Sequence, residues 1–269
     1  SLVFFFRKKS IRTLFIMAII LFLIPIIFNF MTFYGMPADE LESTFAFFHP
    51  STEEIASQTQ AMRGSYLKQM PLRMEEALGL QSVVFMIEIF WRTSAMMLLG
   101  MILYRKGILS ADKSTAYYKK MIWVGFVPGL ILSSIGLGQV YASEWSGAYV
   151  MNIGANYKFL SGLFMALGYI GLVIWIYKKG IFKKFQNRLQ ATGRMAFTNY
   201  IGMSVICTLI FNGHGLGLFG TLDRLQQFLI VIAVWIVILI ISPLVLKNYR
   251  FGPLEWLWRK LTYFSFQNS

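Results

Sequence analysis

Within the apolar run "MIEIFWRTSAMMLLGMILY" (86–104) stand a carboxylate and a guanidinium, Glu88 and Arg92, four residues apart. On a helix this spacing puts them on one face, acid before base, which is the favourable order. Such a pair has two uses. It can neutralise itself as an ion pair that locks its helix to its neighbours, or it can form the polar wall of a substrate or cofactor path. Both uses need the face turned to a protein interior or a water-filled cavity. A charged side chain at the centre of a bilayer costs ~2.5–3.5 kcal/mol on insertion scales, and lipid offers no partner. Arg92 suits an anionic group such as phosphate, because its guanidinium presents a planar fork of donors.

A second polar group lies in "RMAFTNYIGMSVICTLIFNGHGLGLFG" (194–220). Thr198 and Asn199 follow Arg194 by one turn. They can bond across helices or line a vestibule with Arg194. His214 sits in a glycine-flanked loop, where its near-neutral pKa would suit a general base. Asp223 is the only acid nearby in sequence, so a structural loop histidine is the simpler reading, and His49 in "FFHP" reads the same way. The single cysteine, Cys207, reads as a small buried hydrophobe. No HExxH, Cys pair or second His on a helix face suggests a metal site. A GxxxxGK phosphate loop, a GxGxxG turn and a GxSxG elbow are all missing, so neither a nucleotide-driven pump nor a soluble-type hydrolase is visible.

The elements that must position these residues are membrane helices. The chain is 57% hydrophobic and only 14% charged, against about 45–50% and ~25% for soluble domains. Six segments approach the ~20 apolar residues that cross a hydrocarbon core: 12–34, 82–104, 119–142, 156–177, 195–212 and 226–246. The predicted fold class is all-α, a polytopic transmembrane helix bundle over 1–269 as a single domain. Residues 35–81 form a long acidic outer loop in which "STEEIASQTQAMRGSYLKQM" predicts a surface helix capped by Ser51 or Thr52. Two amphipathic stretches, 178–193 and 251–264, predict interfacial helices on the cytoplasmic side, with Pro253 in a first turn and Trp256, Trp258 and Tyr263 as interface-seeking aromatics. Gly125, Gly129 and Gly136 in the third span, and Gly162, Gly168 and Gly171 in the fourth, suit close helix approach.

The formal net charge is +13, but the basic residues lie in short runs between apolar segments, which argues for membrane topology rather than nucleic acid. Arg7–Arg12, Arg105–Lys120, Lys178–Arg194 and Lys247–Lys260 hold most of the Lys and Arg, and the alternate loops hold most of the acids. Basic loops stay cytoplasmic during insertion, so the expected C-terminus is cytoplasmic. "LVFFF" running into "RKK" is the reverse of a signal peptide. It reads as the tail of a preceding membrane helix, and the chain as the C-terminal part of something larger.

Residues 193–264, with "GRMAFTNY", the Gly-rich "GLGLFG", a Trp in the following span and the closing "RFGPLEWLWR", resemble the signature block of the YeiB-like family of bacterial multi-pass membrane proteins. "MLLGMILYRKGIL" (97–109) resembles that family's middle helix. The family is uncharacterised and distantly similar to the transmembrane acyltransferases of the acyltransferase-3 and heparan-glucosaminide acetyltransferase groups. The resemblance implies a bacterial plasma-membrane protein. It also implies a membrane acyltransferase with cytoplasmic acyl-CoA as co-substrate and an acceptor on the far side, completed by N-terminal helices of the same protein. It assigns no catalytic residue here. A transporter of a small polar or anionic solute is the alternative, with Glu88, Arg92, Arg194, Thr198, Asn199 and His214 as pathway candidates in either case.

Overall fold

The computed structural model describes residues 2–264, which are helical with turns and short loops and contain no strand. Residues 1 and 265–269 of the expected domain lie outside the described residues. The principal helices are α1 (Ile11–Gly35), α2 (Thr52–Arg63), α3 (Tyr66–Gly79), α4 (Phe90–Arg105), α5 (Thr115–Ala142), α6 (Ala155–Lys179), α7 (Lys183–Arg194), α8 (Ala196–Phe211), α9 (Arg224–Asn248) and α10 (Pro253–Phe264). A π-helical stretch, Leu80–Ile89, joins α3 to α4, and a second, Val150–Gly154, leads into α6.

Among the described residues five continuous helices are long and apolar enough to cross a membrane: Ile11–Gly35, Tyr66–Arg105, Thr115–Ala142, Gly147–Lys179 and Arg224–Asn248. A sixth span requires the pair α7 and α8, which bend by 84° at their junction. The 16 residues of α8 reach only about 24 Å at 1.5 Å per residue. Outward faces carry large apolar side chains. Leu130, Ile131, Val173, Leu229, Trp235 and Leu244 are each more than half exposed, an arrangement that water would penalise and lipid does not. The chain is a helical membrane bundle.

The chain forms two compact units. The first comprises residues 1–51 and 75–181, and the second 52–74 and 182–269. In the first, Leu14, Ala18 and Leu21 of α1 pack on Ala95, Leu98 and Ile102 of α4. Ser10 caps α1, its hydroxyl accepting from the Thr13 amide at 3.2 Å, and Ser114 caps α5 through the Tyr117 amide. Helices α5 and α6 form the most extensive pairing of the unit. A Cβ added at Gly125 would stand 2.2 Å from the Gly168 backbone nitrogen, so the two backbones touch there as small-residue membrane pairs do. Gly162 has open space around it and takes no part in that contact.

In the second unit α7 packs on α9, and α8 on α9 and α10. Asp223 and Gln226 form a reciprocal capping box at the start of α9, with bonds of 2.7 and 3.0 Å. The outer segment 51–70, expected as one helix, is two. Met62 O, at the end of α2, accepts from the Gly213 amide at 3.0 Å and from Gln69 Nε2 at 2.9 Å. Of these two donors only Gly213 lies far along the chain, and Ser65 O starts α3 by accepting from Lys68 and Gln69. As expected, α2 begins at Thr52 with Glu53 and Glu54 in its first turn, and Pro253 opens α10.

Candidate functional site

The opposite charges of the opening motif meet in the first unit. Arg92 Nη2 lies 2.7 Å from Glu88 Oε1, and two amides from other helices complete the group. Asn29 of α1 donates from Nδ2 to Glu88 Oε1 at 3.3 Å and to Asn156 Oδ1 at 3.1 Å. Arg92 Nη2 donates to the same Asn156 Oδ1 at 3.4 Å. The guanidinium also sits over the Phe159 ring, 4.3 Å from its centroid, and Phe159 stacks on Phe22 at 4.7 Å. Three helices thus contribute: α1 gives Asn29, the π stretch and α4 give Glu88 and Arg92, and α6 gives Asn156 and Phe159. Both π-helical stretches abut the cluster. The first contains Glu88, and the second ends two residues before Asn156. A π turn shifts the angular register of everything after it, and such turns recur at functional sites.

Asn29 and Asn156 are buried, at 4% and 8% exposure. The polar atoms of the cluster do not balance. Arg92 Nε and Asn156 Nδ2 are buried donors with no hydrogen-bond partner among the described residues. Each such group leaves a desolvation penalty of ~1–3 kcal/mol uncompensated. An oxygen acceptor, whether carbonyl, carboxylate or phosphate, is the chemistry that satisfies a donor of either kind.

Arg194, Thr198 and Asn199 lie in the second unit, and there they fasten helices to one another. The Thr198 amide donates to Glu255 Oε1 at 3.0 Å and its hydroxyl to Glu255 Oε2 at 2.5 Å. Leu254 N in turn donates to the Thr198 hydroxyl. Glu255 of α10 therefore caps the N-terminus of α8, where backbone N–H groups and the helix dipole favour a carboxylate. Burial pushes the Glu255 carboxyl up, but these hydrogen bonds outweigh burial and hold it below the ordinary carboxylate range. Asn199 Nδ2 donates to Thr192 O and to Ser242 Oγ of α9, both at 3.0 Å. Arg194 Nη2 donates to Arg250 O at 3.0 Å. His214 is exposed, its ring edge-on to Tyr66 at 5.7 Å. Asp223, the only acid near it in sequence, is engaged in capping α9. Cys207 is half-buried and lines a cavity with Thr208 and Asn212. Among the described residues no three His, Cys, Asp or Glu come together as metal ligands.

Sequence reasoning found Glu88 and Arg92 and missed Asn29 and Asn156. A usable signal existed, since Asn29 is a lone amide in the apolar run "IIFNFM" and Asn156 follows Asn152 by one helical turn in "NIGANYKF". Amides in membrane helices bond across helix interfaces.

The pattern of the family described as "Protein of unknown function (DUF418)" matches residues 103–265. The chain belongs to the DUF418 family. The match takes in Asn156, Thr198 and Glu255 and leaves out Asn29, Glu88 and Arg92. Among DUF418-like relatives, the chain is 33% identical over 172 residues to the uncharacterized protein YeiB of Escherichia coli K12, covering 64% of this chain and 44% of that one. It is 36% identical over 174 residues to the uncharacterized protein YxaH of Bacillus subtilis 168, covering 64% and 40%. The chain thus spans less than half the length of these curated relatives. No solved structure matches it.

Proposed function

We propose that this DUF418 chain is part of a membrane-embedded acyltransferase, in which Arg92 Nε and Asn156 Nδ2 receive the carbonyl oxygen of an acyl thioester. The observation that carries the reading is the pair of buried donors with no partner among the described residues. Preorganised N–H groups aimed at an oxygen that gains negative charge in the transition state are a principal source of rate enhancement in acyl transfer. Acyl-CoA is the donor and a hydroxyl or amine the acceptor. The thioester C–S bond breaks, an acyl–O or acyl–N bond forms, and the acceptor's proton leaves with the CoA thiol. The distant similarity expected between the YeiB-like family and the transmembrane acyltransferases favours this reading. In it, the basic segments around Lys106, Lys183 and Arg194 face the cytoplasm of a bacterium, attract the phosphates of acyl-CoA and leave the C-terminus inside. Helices from beyond this chain complete the site.

The test is a thermal-stability titration of the purified protein in detergent against acetyl-CoA and longer acyl-CoAs. Stabilisation that saturates with concentration is the expected result, and Asn156→Leu or Arg92→Lys weakens it at least tenfold. The absence of any shift across the series, in a folded protein, overturns the proposal.

A second reading is favoured by one observation. An ion pair within a span, close to irregular helix turns, also suits a transporter's solute site. Uptake of a small anion into proteoliposomes, lost in Glu88→Gln and independent of acyl-CoA, selects that reading instead.

A further inference from the structure

The second unit holds a cavity of about 640 Å³ between α2, the C-terminal end of α8, the loop that follows it and the start of α9. That volume lies within the range of ~300–1,000 Å³ typical of small-molecule sites. Its polar lining is uncharged, with Gln58, Thr59, Thr208, Asn212 and Gln227 beside the aromatic rings of Phe211 and Phe219. Asn212 is only 4% exposed, yet it lines the cavity. The side chains of Thr59, Thr208 and Asn212 make no hydrogen bond among the described residues. Asn212 is buried and Thr59 and Thr208 are half-buried, and their unpaired polar atoms are accessible, so a polar ligand in the cavity can both donate to and accept from them.

The walls are held in shape by the glycine loop. Gly213 N donates to Met62 O at 3.0 Å, and a Cβ at Gly213 would lie 1.7 Å from Arg63 O. Only a glycine allows the loop to approach α2 this closely. Arg63 Nε donates to Phe219 O at 2.8 Å, so its guanidinium clasps the loop beside the cavity and is not among the lining residues. The backbone amides of Leu216, Leu218 and Phe219 return to carbonyls of Leu209, Ile210 and Phe211.

We infer that this cavity binds an uncharged, hydroxyl-rich small molecule of the carbohydrate or polyol class. Amide and hydroxyl side chains both donate and accept, as a neutral polyol requires. Phe211 and Phe219 are aromatic lining residues, a type of surface on which the C–H face of a sugar ring packs. An anion would find no cation in the lining, and a cation no carboxylate. The inference stands independently of the chemistry proposed for the first unit.

Cys207, the one cysteine of the chain, lines the same cavity and serves as a built-in reporter. The experiment measures N-ethylmaleimide labelling of Cys207 in the full chain, together with isothermal titration. The neutral probes are glucose, N-acetylglucosamine, sucrose and myo-inositol, and the charged controls are glucuronate and glucosamine. The expected result is that at least one neutral probe binds saturably and slows labelling, and that Asn212→Leu weakens its binding at least tenfold. Thr208→Val does the same by a smaller factor, and serves alone if Asn212→Leu fails to fold. The inference is overturned if no neutral probe binds the folded protein, if only charged probes bind, or if binding ignores both substitutions.

Discussion

Glu88 and Arg92 are tolerated in an apolar helix because four polar side chains share their charge, and not because the two merely neutralise one another. Asn29 and Asn156 connect the pair to two further helices. Removing one charge is therefore worse than removing both. Glu88→Ala strands the Arg92 guanidinium, which is only 15% exposed, and is expected to destabilise by roughly 3 kcal/mol, as broken buried pairs do. Glu88→Leu with Arg92→Met should regain most of that stability in thermal unfolding. If the pair serves function, the double variant is folded but shows no acyl-CoA stabilisation. If it retains full ligand response, the pair is a structural lock only.

The elements show the same economy of contact. The α5–α6 pairing depends on Gly125 meeting Gly168 backbone to backbone. Gly125→Leu should therefore separate the helices and lower the unfolding midpoint sharply, by more than ~2 kcal/mol in stability terms. Gly162→Ala, where nothing lies within 4 Å, should be neutral or stabilising by up to ~1 kcal/mol from helix propensity. The clasp between α8 and α10 predicts a pH effect. Because the Glu255 carboxyl is held low in the folded state, its contribution is fully present above the ordinary carboxylate range. It is lost as pH falls through the lower folded value. Thermal midpoints measured from roughly pH 6 to pH 3 should fall more steeply for the native chain than for Glu255→Gln. Equal slopes would remove Glu255 from that role.

At the scale of the molecule, the alternation of basic and acidic loops makes a topological prediction. A reporter that fluoresces only in the cytoplasm, fused after residue 110 or at the C-terminus, should be bright. One that is active only outside should report from an insertion beside Glu144. The reverse pattern would invert the proposed orientation. It would also place the basic segments where cytoplasmic acyl-CoA never reaches them.

The sequence by itself determined that this chain is a helical membrane protein and that Glu88 and Arg92 share a face. Those features follow from local length, hydropathy and the i, i+4 spacing, which need no partner to act. Helix ends such as the capping box at Asp223 are equally local. Tertiary structure decided what each polar group touches. Thr198 and Asn199 bond across helices because Glu255 and Ser242 lie 57 and 43 residues away in the chain and beside them in space. Asn29 reached Asn156 across 127 residues, and Gly213 ended a helix that sequence would have continued, by donating to Met62. In lipid an apolar surface distinguishes few neighbours, so the pairing of helices rests on close backbone approach and buried hydrogen bonds, and both exist only once distant segments have met.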